Sequence, residues 1–171
     1  MSKSALNPNL ILGLGTSAQQ LIPSYVTFSS MHANHHHVRT ETLDTYTTGL
    51  DGWDFDRETL KALLDTAEKV LLVVCAGGKA GSAMTLFSAE YATRKKISVD
   101  VLMSAPFSWE GRRRKAVQRA LTEDLRATGV KVDVIDADPL FTDDMESALD
   151  AFAVLDAAMA KEVNRWIIQD K

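Results

Sequence analysis

The chain has 171 residues, 46% of them hydrophobic and 25% charged, and a formal net charge of -4. That length supports one domain with a real core, and the ordinary composition excludes a disordered or fibrous chain. The negative balance excludes a general nucleic-acid footprint and leaves only a local basic run at residues 112–115.

Cys75 is the only cysteine, so no disulfide framework exists within the chain. It ends an apolar run and reads as a buried structural thiol. The opening MSKSALNPNL lacks the long apolar region of a signal peptide, and no apolar run reaches membrane-spanning length. The expectation is a cytoplasmic protein with neither membrane nor nucleic acid as a partner.

In chain order, residues 10–12, 70–75, 99–103 and 130–135 read as buried parallel strands. Each is short, aliphatic and followed by Gly, Pro, Ser or Asp. Residues 24–29, with Tyr25, Val26 and Phe28, are a fifth candidate. Residues 31–56, with His32 and the run His35-His36-His37, are the least regular stretch. Adjacent histidines on a strand point alternately to opposite faces, so they converge poorly on one ion; no metal site is expected.

Helical periodicity fills the intervals. Residues 58–68 place Leu60, Leu63, Leu64 and Ala67 on one face, and residues 82–95 follow a glycine turn. Residues 111–128 carry Ala116, Val117, Ala120, Leu121 and Leu125, with Gly129 closing the helix. The last helix, residues 143–168, repeats Met145, Ala148, Leu149, Phe152, Leu155, Met159, Val163 and Trp166, with Thr142 or Asp143 as its cap. Strands alternating with helices predict a Rossmann-like, three-layer α/β fold with a doubly wound, mostly parallel sheet, all in a single domain over residues 1–171. Ligands in such folds sit at the carboxyl ends of the strands, so the turns leaving those ends carry the information.

Three turns stand out. Gly13-Leu14-Gly15-Thr16-Ser17-Ala18 follows the first strand, and Ala76-Gly77-Gly78-Lys79-Ala80-Gly81-Ser82-Ala83 follows the second. Small residues there let backbone N–H groups approach a phosphate at a helix N-terminus; the bland alternative is a tight turn. The second turn is not the common P-loop, because its Lys and Ser are out of register. The third is Pro106-Phe107-Ser108-Trp109-Glu110-Gly111, running into Arg112-Arg113-Arg114. Glu110 suits ribose hydroxyls and an arginine suits a phosphate, although a charge run is usually a solvated helix start.

Together the three turns resemble the nucleotide-binding domain of the FtsZ/tubulin superfamily. PFSWEGRRRKAVQRALTEDL is similar to the bacterial FtsZ stretch reading Pro-Phe-Ser-Phe-Glu-Gly-Arg before a long helix, and AGGKAGSA to the tubulin signature Gly-Gly-Gly-Thr-Gly-Ser/Thr-Gly. LILGLGTSAQQLI sits where that family has its first glycine loop, and SALDAFAVLDAAM resembles the helix that closes over guanine. The resemblance implies that Gly13 and Gly15 contact phosphates and that Gly77, Gly78, Gly81 and Ser82 form a second phosphate loop. It also implies that Glu110 binds ribose, Arg114 lies near the terminal phosphates, Phe152 stacks near guanine and Asp156 bonds the guanine edge.

Departures from the family pattern accompany it. Lys79, Ala80 and Ala83 replace members of the second loop's signature, Thr16-Ser17-Ala18-Gln19 replaces the first loop's glycine run, Gln20 stands for its asparagine, and Ala137 aligns with another. A side chain at a close-approach glycine blocks a phosphate, whereas Lys79 supplies charge in place of lost backbone contacts. Relative to the family the sequence lacks the core helix, the catalytic loop and the C-terminal domain, so catalytic residues are expected to be none. An apolar stripe on the last helix, left without the core helix, would be covered by a second copy or by a full-length FtsZ-like protein.

Two readings follow. One is a protein that binds GTP or GDP, with Mg²⁺ accompanying GTP, lacks an autonomous GTPase site and modulates cytoskeletal or cell-division filaments. The other is a degenerate pseudo-GTPase, a dimerisation module that binds no nucleotide. They differ in whether Lys79 fills the phosphate cavity.

Overall fold

The computed structural model describes residues 9–15, 38–43, 46–49 and 52–169, with side chains described at 9–15 and 55–169. Five parallel strands form the main sheet: β1 (Asn9–Leu14), β2 (Val38–Leu43), β5 (Lys69–Cys75), β6 (Ser98–Ser104) and β7 (Lys131–Ile135), in the order β2-β1-β5-β6-β7. β3 (Tyr46–Gly49) and β4 (Gly52–Phe55) make a separate antiparallel hairpin. The helices are α1 (Arg57–Leu64), α2 (Lys79–Arg94), α3 (Arg112–Ala127) and α4 (Ala148–Gln169). The four expected strands are all present. β2 was not expected: it lies inside the stretch read as irregular, where VRTETL carries a weak alternating pattern and little apolar content. The candidate strand at residues 24–29, the residues 16–20 of the first loop and the histidine run lie outside the described residues.

Alternation along the strands builds two cores. Leu10, Leu12, Leu14, Val70, Leu72, Val74, Val101 and Met103 face α1, α2 and α3. Ile11, Leu71, Val73 and Leu102 face α4, through Leu155, Met159, Val163 and Trp166. The result is the expected three-layer α/β arrangement. β7 departs from the reading of a buried strand, because Lys131 and Asp133 are exposed on an edge.

The helices are stopped and started by local chemistry. The Asp56 carboxylate accepts from the Thr59 N–H at 2.9 Å and caps α1. α2 ends in a Schellman turn: the Ile97 N–H donates to the Ala92 carbonyl and the Lys96 N–H to that of Thr93, with Lys96 at φ 60°. α4 begins at Ala148, five residues after the expected start, because Ser147 and Asp150 cap each other: the Ser147 N–H donates to the Asp150 carboxylate at 2.9 Å. α3 buries Gln118 and Thr122 with Leu121 and Leu125, while Ala116 and Ala120 of the expected stripe are exposed. The Gln118 amide donates to the Thr122 hydroxyl at 2.8 Å, and that hydroxyl donates back to the Gln118 carbonyl at 2.9 Å, so both polar groups are satisfied inside the core.

The stripe of α4 is not left open. Trp166 is buried, its indole N–H donates to Asp100 at 2.7 Å, and the Lys69 ammonium lies 4.7 Å from its ring centroid. This overturns the expectation of an uncovered apolar face along the whole helix: the chain's own sheet covers its C-terminal half. Leu149, Phe152 and Val154 in the first turns stay exposed, as does Ile168 in the last.

Candidate functional site

Strand order reverses between β1 and β5: the chain leaves β1 for β2 on one side and later adds β5 on the other. That switch point opens a crevice at the carboxyl ends of the strands. Gly13 stays within β1, buried and in register with Thr42 and Val73. The turn begins at Gly15, whose φ of 90° favours glycine, and a Cβ there would come within 3.3 Å of the Gly81 Cα. A Cβ on Gly81 would meet the Leu14 carbonyl at 3.4 Å. The two glycine turns therefore touch backbone to backbone, and packing alone accounts for both residues.

Gly77 has φ 109°, and a Cβ on it would meet the Arg114 Cβ at 3.0 Å and Nε at 3.1 Å. Arg114 thus lies across the second glycine turn. Gly78 caps α2 without a side-chain bond, and a Cβ there would meet nothing within 4 Å. The start of α2 therefore has room at Gly78 and no capping side chain on its first backbone donors, while Ala80 and Gly81 behind it are buried. Ser82 turns inward along the helix, donating to the Gly78 carbonyl at 2.6 Å. Lys79 is exposed and makes no ion pair among the described residues.

The third turn is a short 3₁₀ segment, Ser108–Glu110. One Glu110 oxygen accepts from the Phe107 N–H at 2.8 Å and the other lies 3.1 Å from the Arg114 Nε. Sequence reasoning missed the partner of this turn. Asp138, in the 3₁₀ segment Asp138–Leu140 after β7, accepts from the Ser108 N–H at 2.6 Å and from its hydroxyl at 2.5 Å, and pairs with Lys115. These bonds, led by that from Lys115, hold the Asp138 carboxyl down to about 2. Nothing local in the sequence marks residue 138 as a partner of residue 108, so only the fold reveals the clamp.

Between the third turn and α4 lies a cleft of about 370 Å³, lined among others by Cys75, Glu110, Arg114, Phe152 and Asp156. Four sequence-expected residues thus meet in one cavity, Glu110 from the 3₁₀ turn, Arg114 from α3 and Phe152 and Asp156 from α4, while Lys79 does not line it. The Phe107 ring stacks on Trp109 at 5.0 Å between centroids, and Phe152 meets both edge-on at 5.5 and 5.6 Å. Phe107 is fully buried, Trp109 and Phe152 are partly open to solvent, and of the three rings Phe152 lines the cleft while the other two back it. Burial raises the Asp156 carboxyl above its ordinary value and lifts the Cys75 thiol to about 11. Asp156 is the lining carboxylate that no hydrogen bond engages among the described residues.

The FtsZ dimer of M. jannaschii, in its empty form, superposes at a TM-score of 0.76 with 18% identity, over 96% of this chain and 55% of that one. CetZ2 from Haloferax volcanii, in a GTPγS-bound protofilament, gives 0.70 with 16% identity over 93% and 57%. TubZ of Clostridium botulinum phage c-st gives 0.64 with 12% identity over 94% and 59%. The fold is that of the FtsZ/tubulin nucleotide-binding domain. At these identities the likeness is one of fold. This FtsZ-like chain spans little more than half the length of those proteins. No protein-family model and no curated protein matches it by sequence.

In the FtsZ-like frame the cleft sits where doubly wound folds take ligands. Among the described residues no three His, Cys, Asp or Glu side chains gather in a metal-holding group, and no helix is long and apolar enough to cross a membrane.

Proposed function

We propose that this chain binds a guanine nucleotide, GTP or GDP, in the cleft at the carboxyl edge of its sheet. The observation that carries the reading is the meeting of Glu110, Arg114, Phe152 and Asp156 around one cleft beside the Gly77 turn. Each side chain has the chemistry for one part of a nucleotide. The Phe152 ring on the cleft wall stacks a base. Asp156, which no hydrogen bond engages among the described residues, accepts from the guanine N–H edge. Arg114 pairs with a phosphate oxygen, and the uncapped start of α2 at Gly78 offers further donors to the same group. Mg²⁺ would arrive with GTP, held by the phosphates. Lys79, exposed and outside the cleft, leaves the entrance open.

The proposal is one of binding. One Glu110 oxygen is held by the Phe107 N–H and Asp156 is assigned to the base, so the reading gives neither carboxylate a role in activating water. The role that follows is modulation of filaments built by relatives of the same fold. A second reading, a module without nucleotide, draws support from one observation: Arg114 already lies on Gly77 and pairs with Glu110, so a phosphate must displace an existing contact.

Calorimetric titration with GTP and GDP in the presence of Mg²⁺ separates the two. Micromolar binding that weakens about tenfold or more in Arg114→Ala, as expected for a lost charge-assisted bond, supports the nucleotide site. The absence of both heat and thermal shift at millimolar nucleotide would overturn it in favour of the second reading.

A further inference from the structure

Among the described residues β7 is one of the two edge strands of the sheet. Its partner β6 uses one side only: the Ala105 N–H donates to the Ile135 carbonyl at 2.8 Å, and the register pairs Ser104 with Ile135. In a parallel strand the N–H and C=O of one residue point to the same side, and the side alternates with each residue. Lys131, Asp133 and Ile135 therefore bond β6, and the backbone groups of Val132 and Val134 point outward. Such an edge is a template for another strand unless something blocks it.

The sequence over this edge is Val130-Lys131-Val132-Asp133-Val134. It is chemically palindromic when paired antiparallel with itself about Val132. Val132 meets its own copy, Val130 meets Val134, and Lys131 meets Asp133. The three valines share the face that packs toward α3, and each is half-buried. Lys131 and Asp133 share the other face, beside a groove that also carries Glu162 and Arg165. The outward backbone groups fall at the self-paired positions, which makes Val132 against Val132 a hydrogen-bonded pair. Lys131 then meets Asp133 at the closer, non-bonded pair, where side chains interact most. A lone Lys on an edge repels a further strand, but here its partner charge sits two residues away and reverses with the two-fold. Within one chain the two charges already pair at 3.1 Å, both exposed, so pairing exchanges the two intrachain contacts, one in each copy, for two across the axis.

We infer that two copies of this chain associate along β7, antiparallel about Val132, to form one continuous ten-stranded sheet. The occupant of the edge is a second copy, because apolar positions, charges and backbone polarity are all self-complementary in this single register. The surface lies on the sheet edge, away from the nucleotide cleft, and the inference is independent of nucleotide binding.

Sedimentation equilibrium of the full chain from low micromolar to roughly 0.5 mM reads the association directly, a range suited to a small interface. The expected result is a rise from the monomer mass of 18.8 kDa to about twice that value. Val132→Pro removes an outward N–H without touching the β6 ladder and should leave the monomer. Lys131→Asp sets two like charges opposite each other and should weaken association at least about tenfold, while the reversal K131D/D133K should restore it. The charge pair decides the matter even if the proline variant folds poorly. A wild-type monomer throughout, or a dimer that Lys131→Asp leaves unchanged, overturns the inference.

Discussion

The two ends of α4 have the same amphipathic sequence character and opposite fates. Toward its C-terminus, Met159, Val163 and Trp166 are buried, and the indole is tied to Asp100 on β6. At its start, Leu149 is 79% exposed and Phe152 and Val154 stand in solvent. The anchored end rests on the middle of the sheet. The start of the helix rests on Phe107 through the buried Ala151 and Leu155, and beside that contact it borders the cleft at the carboxyl edge. Of these exposed side chains, Leu149 and Phe152 line the cleft, the place where the proposed ligand would cover them.

The comparison breaks most sharply at Trp166. Trp166→Ala should cost about 3–5 kcal/mol in a denaturant titration, the range for truncating a buried aromatic. Leu149→Ala on the same helix should cost under about 0.5 kcal/mol. Similar losses at both positions would mean that the open end is packed after all.

A second contrast lies among the glycines. Gly15, with positive φ and the Gly81 backbone close by, should lose about 1–2 kcal/mol on replacement by alanine. Gly78, with room around it, should stay within about 0.5 kcal/mol of wild type in the same titration. If the cleft takes phosphate, Gly78→Ala will nonetheless reduce nucleotide affinity, because the added methyl stands at the uncapped helix start.

A smaller effect concerns the clamp behind the third turn. The folded Asp138 carboxyl is depressed from 3.8 to about 2. A depressed acid contributes stability that is fully present above its unfolded value and is lost as pH falls through its folded value. Between about pH 4 and about pH 2 the wild type should therefore lose more stability than Asp138→Asn. Denaturation midpoints at stepped pH read this, and parallel curves for the two proteins would show that the clamp contributes nothing.

Smallest is Asp156, whose carboxyl is raised by burial. A raised acid is penalised when ionised, so Asp156→Asn should unfold at a slightly higher temperature at pH 7 in a calorimetric scan. The same variant should discriminate less well between guanine and adenine nucleotides. A lower unfolding temperature would mean that the carboxylate has a stabilising partner.

Much of this architecture is legible in the chain. The aliphatic strands β1, β5 and β6 are nearly featureless apolar runs because both of their faces are buried. The three turns are legible because the carboxyl edge demands small residues. β2 was not, since an edge strand needs neither continuous burial nor a strong pattern, and its VRTETL reads as polar surface. The start of α4 was misplaced because residues 143–147 offer several capping side chains and only Ser147 is paired with an acid three residues on. The convergence of Glu110, Arg114, Phe152 and Asp156 follows from motif order once the strand arrangement is known. The Ser108–Asp138 clamp does not, because it joins residues 30 positions apart with no periodic signal between them.

One consequence of the lone thiol remains. Cys75 lines the cleft, and burial lifts its pKa from 9.0 to about 11. At pH 8 its reactive thiolate is therefore about a hundredfold scarcer than that of an ordinary cysteine. Slow alkylation of the native protein then times how often the cavity floor is uncovered, with no second thiol to confuse the signal. A guest seated above it would lengthen that time, so the protein carries its own label for occupancy.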